Sequence, residues 1–91
     1  MANLGYFKIE ATNDYDTLEN ITQLTFTEGN KYNFQVINGS AELTCCTLAT
    51  KPTEGGVVMK NYEKFSYTPV SGVSLYLKVS GIGHVFLNVS E

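Results

Sequence analysis

Three groups of residues in this sequence could carry chemistry: one histidine, two adjacent cysteines and a run of acids near the N-terminus. His84 is the sole histidine, so any nucleophile–base pair would have to be built on it. Nucleophilic catalysis needs a base within hydrogen-bond reach and a third group to orient that base. Cys46 and several Ser and Thr could be nominated as the nucleophile, but no signature of the Gly-x-Ser-x-Gly kind occurs. His84 is therefore expected at a surface or an interface.

Cys45 and Cys46 are neighbours in the chain, and neighbouring side chains of a strand point to opposite faces. They cannot readily bond each other, and the sequence holds no third cysteine. Two free thiols, behaving as small buried apolar groups, fit a reducing compartment. A metal site would need two further Cys or His ligands, and only His84 exists.

Asn13-Asp14-Tyr15-Asp16-Thr17-Leu18-Glu19 is acidic, yet it lacks the turn glycine and the distal bidentate glutamate of a calcium loop. Asp16 is expected to cap a helical turn, with Asp14 and Glu19 solvated. Glu54 and Glu63 sit near loops, and nothing marks them as the paired carboxylates of a glycosidase. The expectation is a protein with no catalytic residue, no metal and no cofactor.

The 91 residues suit one domain, 1–91. Net charge is −3, and all six basic residues are lysines. A nucleic-acid binder would show a basic patch with arginine for bidentate contacts, so nucleic acid is excluded. The N-terminus has no basic segment followed by an apolar run, and no stretch reaches the roughly 18 apolar residues of a membrane helix. A protein made and kept on the cytoplasmic side is expected, which leaves the Asn-x-Ser/Thr triplets at Asn20, Asn38 and Asn88 unused. Charged residues make up 16% of the chain, against about 25% in an ordinary globular domain. So few charges suit either a Thr-rich β-protein or a surface partly covered by a partner.

The elements that must position these residues are strands. Apolar residues alternate in Leu4–Ile9, Thr22–Thr27, Tyr32–Ile37, Val73–Val79 and His84–Val89. Glu28-Gly29-Asn30 reads as a hairpin connection between the second and third of these, and Asn38-Gly39 as a type I′ turn into the run Leu43–Ala49. That run changes parity at the cysteines, which calls for either a bulge or burial on both faces. Lys51–Gly56 is a loop, Val57–Met59 and Phe65–Tyr67 are short strands, and Pro69–Gly72 and Ser80–Gly83 are turns. Asp16–Glu19 has capping-box spacing, which allows one helical turn over 17–23. The fold class is all-β: a small antiparallel β-sandwich of jelly-roll type with seven or eight short strands, a small barrel being the alternative.

Six Tyr and five Phe are more than the core can take. Tyr76 points away from Leu75 and Leu77, Tyr6 away from Phe7, and Phe86 and His84 away from Val85 and Leu87. Aromatics on a non-core face either pack under a second layer or form a contact surface for protein or for sugar. Tyr6, Tyr76, Phe86 and His84 are the candidate interaction surface.

Phe34–Ser40, Lys51–Gly56, Glu63–Tyr67, Leu75–Lys78 and Asn88–Glu91 together resemble a loose pattern of short proteins from tailed-phage structural gene modules. The resemblance spans residues 22–91; Cys45-Cys46 and Asn13–Asn20 lie outside the pattern. It implies a non-enzymatic virion component of decoration, fibre or accessory type. Such a protein would be made in the host cytoplasm and bind copies of itself, as a trimer, and capsid or tail proteins. A carbohydrate-binding module using exposed tyrosines, with a glycan as partner, is the alternative function, and a cytoplasmic protein the alternative location.

Overall fold

Strict alternation in the long strands decides which side chains go inside. Val85, Leu87 and Val89 are fully buried, as are Leu75, Leu77 and Val79 to within 3%. A computed structural model describes residues 3–91, without the side chains of Asn3 and Asn38. Met1 and Ala2, the start of the segment expected to carry no leader, lie outside the described residues, as does the side chain of Asn38 in the second Asn-x-Ser/Thr triplet. The strands are β1 (Asn3–Glu10), β2 (Tyr15–Thr17), β3 (Tyr32–Asn38), β4 (Ala41–Leu48), β5 (Val57–Met59), β6 (Lys64–Tyr67), β7 (Ser74–Gly81) and β8 (His84–Ser90), with one helical turn, α1 (Leu18–Thr22).

They form two four-stranded sheets, β1-β8-β3-β6 and β2-β7-β4-β5, with every pairing antiparallel. The pairs β1/β8, β2/β7, β3/β6 and β4/β5 are those of one long hairpin rolled up on itself, which is the jelly-roll winding. The inner faces meet across a core that includes Phe34, Val36, Leu43, Leu77, Leu87 and Val89.

Only the β4–β5 connection joins strands of the same sheet; the other six cross from one sheet to the other. This overturns two expected hairpins. Asn38 is still the last residue of β3, and Gly39 adopts no positive φ, so Asn38-Gly39 makes no type I′ turn. Gly39 is needed for another reason: a Cβ there would stand 2.7 Å from the His84 carbonyl oxygen. The Ser40 hydroxyl beside it accepts the His84 N–H at 3.3 Å, which ties the β3–β4 corner to the β7–β8 corner.

The second overturned hairpin is Thr22–Thr27 with Tyr32–Ile37. Thr22 closes α1 and residues 23–31 hold no strand, despite their alternation. Gln23 takes the left-handed conformation (φ 61°) and donates its N–H to Glu19, as a helix C-cap does. Phe26 still reaches the core, packed edge-on against Tyr32 at 4.8 Å between centroids. The helix cap is also corrected. Thr17, not Asp16, is the N-cap, accepting the Asn20 N–H at 3.3 Å, while the Asp16 carboxylate accepts the Thr17 N–H at 2.8 Å and the Asn20 side-chain amide at 2.6 Å. β4 runs in unbroken register along β7 from Ala41 to Leu48, so the parity change at the cysteines is no bulge. The strand is buried on both faces there, with Leu43, Thr44 and Cys45 all covered.

Leu87, fully buried and paired on one side with Phe7 and on the other with Val36, stands at the centre of its sheet. Leu87→Ala is expected to cost about 2–5 kcal/mol, whereas Ile82→Ala, at an exposed position, should stay within about 0.5 kcal/mol of the parent. Urea denaturation followed by circular dichroism measures both.

Candidate functional site

Since opposed residues of an antiparallel pair share a face, the register fixes what each sheet presents outward. On the β1-β8-β3-β6 sheet the outward rows run Glu10–His84, Lys8–Phe86–Ile37, and Tyr6–Asn88–Gln35–Lys64. Tyr6 and Phe86 are diagonal neighbours, and their rings stack with centroids 5.2 Å apart and planes within 7°. His84 meets Phe86 edge-on at 5.0 Å. Tyr6, Phe86 and His84 therefore form one continuous aromatic strip, with Tyr6 56% exposed.

Tyr76 is not part of that strip. It lies on the outer face of the other sheet, half-buried, beside Asp14, Asp16, Thr17 and Lys51 around a shallow depression of about 500 Å³. The four residues expected to make one surface thus divide three to one between opposite faces of the sandwich.

The second face has an anchor that alternation alone did not single out. Tyr15 pairs with Lys78, so its ring lies on the outside of the sheet, yet it is only 2% exposed. The β4–β5 loop folds back over it: the Tyr15 hydroxyl donates to the Gly55 carbonyl, and the Lys78 ammonium sits 5.0 Å from the ring centroid. Lys51 of the same loop pairs with Asp14 at 2.9 Å. The Lys51 ammonium, followed by the Tyr15 backbone amide, holds the Asp14 carboxyl below the ordinary range. Burial pushes the Tyr15 phenol up, with the neighbouring Cys46 and Cys45 adding to it. A depression so tied together is a structural clasp.

Burial also raises both thiols, in Cys45 with a further contribution from Cys46. Both cysteines are free, Cys45 pointing into the core and Cys46 outward and half-buried. A protonated, covered thiol is a poor nucleophile and a poor metal ligand. Among the described residues no three His, Cys, Asp or Glu side chains converge as metal ligands. No helix among them is long and apolar enough to cross a membrane.

A third feature is the free edge of the β2-β7-β4-β5 sheet. Val57 and Val58 of β5 are 64% and 45% exposed, and Leu48 at the end of β4 is 45% exposed. The pairing of Cys45 with Val57 and Thr44 with Val58 places these residues on adjoining strands. Comparison of the chain with protein-family models, curated proteins and solved structures yields no match.

The clasp has a measurable signature. Because burial favours the neutral phenol, the folded state holds the Tyr15 proton more tightly than the unfolded chain. That part of the stability is complete below the ordinary phenol range and is lost as pH rises through the folded-state value. Tyr15→Phe should lower stability at pH 7 by about 0.5–1.5 kcal/mol through the lost hydrogen bond. Its deficit relative to the parent should shrink in alkali, as read from urea midpoints at neutral and alkaline pH.

Proposed function

We propose that this chain is a non-enzymatic structural or accessory protein of a tailed-phage particle, of decoration or fibre type. It acts by contact with copies of itself, as a trimer, and with capsid or tail proteins. The observation that carries the reading is the apolar free edge at Leu48, Val57 and Val58. An edge strand offers an unpaired row of backbone groups to another chain, and native edges are usually blunted with charge. β5 and the adjoining Thr47-Leu48 end of β4 have no charged residue. The low overall charge, the resemblance to phage structural proteins and the jelly-roll winding, an architecture of viral capsid domains, support the same reading. The winding also serves lectins and cupins, so the edge carries more weight than the fold.

Light scattering of the purified chain should report an assembly larger than 10 kDa, and Val58→Glu should return it to monomer and abolish binding to particles. A monodisperse monomer that binds no particle would overturn the proposal.

A second reading, a carbohydrate-binding module, is favoured by the aromatic strip, where Tyr6 is stacked on Phe86 yet more than half exposed. Tyr6→Ala should then erase signals on a glycan array while leaving the melting temperature unchanged. A blank array for the parent protein would sink this reading.

A further inference from the structure

One outward row spans the whole β1-β8-β3-β6 sheet: Tyr6 on β1, Asn88 on β8, Gln35 on β3 and Lys64 on β6, each directly opposed to the next. With strands about 4.8 Å apart, the row extends about 14 Å from the β1 backbone to the β6 backbone, the span of an oligosaccharide of two or three rings. Asn88, Gln35, Lys64 and Lys31 line a shallow depression of about 500 Å³ on the β3–β6 side of this face.

The polar groups of the row are disengaged. Among the described residues the carboxamides of Asn33 and Asn88 have no hydrogen-bond partner, and Gln35 uses one N–H, donated to the Tyr62 carbonyl at 3.3 Å. A carboxamide carries both donors and acceptors, which suits it to paired hydroxyls. Neither Lys31 nor Lys64 is in an ion pair among the described residues, and no acid lines the depression, although the chain as a whole carries −3. The neighbouring Glu63 carboxylate is held elsewhere, accepting the Lys60 backbone N–H at 2.7 Å. An aromatic ring, two carboxamides and the Lys64 ammonium in one row, with the Lys31 ammonium lining the same depression, suit an acidic sugar chain in hydrogen bonding and in charge.

We propose that this row binds an acidic oligosaccharide laid across the strands. The exposed ring of Tyr6 stacks on the C–H face of one pyranose, Asn88 and Gln35 hydrogen-bond to hydroxyls, and Lys64 with Lys31 pairs with the carboxylate of a uronate residue beyond. This rests on the carbohydrate reading of the strip and adds the chemical class and direction of the ligand. Assembly through the β5 edge is independent of it.

The experiment is titration calorimetry of the full chain with hexamers of galacturonate, glucuronate-containing hexamers, and the methyl esters of the same sugars, which keep every ring and remove the charge. The acids should bind about three- to fivefold more tightly than their esters, the range for an exposed ion pair, and the preference should fade with added salt. Lys64→Gln combined with Lys31→Gln should remove the preference and leave ester binding intact, while Lys64→Arg retains it. Tyr6→Ala should weaken acid and ester alike by about tenfold, and Tyr6→Phe should not. Equal binding of acid and ester by the parent would overturn the acidic assignment while leaving sugar binding standing. Silence towards both would overturn the assignment and the carbohydrate reading together.

Discussion

Everything in this sandwich depends on the two sheets covering each other. No disulfide braces it, because the two thiols point to opposite sides of one strand. Stability must come from apolar area removed between the sheets, at about 25 cal/mol per Å². Strands β7 and β8 are adjacent in sequence but belong to different sheets, each flanked by a neighbour on both sides. Their inward residues, Leu75, Leu77 and Val79 on one and Val85, Leu87 and Val89 on the other, are all at most 3% exposed. The corner between them is held by close fits rather than by a long loop. Gly83 takes a positive φ of 104°, a Cβ there would run into the Ser40 hydroxyl, and Ser40 is itself bonded to the start of β8.

Strand identity was legible because period-two alternation reports burial on one face, as in Val73–Val79 and His84–Val89. Connectivity was not, because a turn signal marks where a chain changes direction and not whether it stays in the sheet. Asn38-Gly39 has the composition of a hairpin turn, but its glycine serves close packing against His84. Thr22–Thr27 alternates like a strand, and its apolar residues are indeed covered, Phe26 in the core and Leu24 against it. What removed the strand was the left-handed Gln23, which closes the helical turn and which no pattern of apolar residues announces. The paired cysteines illustrate the reverse: their parity change was visible, and the choice between bulge and double burial needed the β4–β5 loop, which brings Gly56 against Thr44 on the outer face.

The same division runs through the candidate surfaces. Alternation placed Tyr6, Phe86, His84 and Tyr76 opposite the core, and that is where they are. It could not say that the first three share a sheet, since this depends on β1 pairing with β8 from the other end of the chain. Tyr15 was hidden because its cover, the loop carrying Gly55, is forty residues away. The row from Tyr6 to Lys64 draws one residue from each of four strands, and no local motif contains it.

The pairing of β1 with β8 has a mechanical meaning. Asn3 lies opposite Ser90, so the outer ends of the first and last strands are side by side. Tension applied to the two ends would act across the ladder and part its hydrogen bonds one rung at a time, as a zipper opens, instead of loading all of them in shear. The β1–β8 ladder is therefore weak against tension applied at Asn3 and Ser90, however well the core behind it is packed.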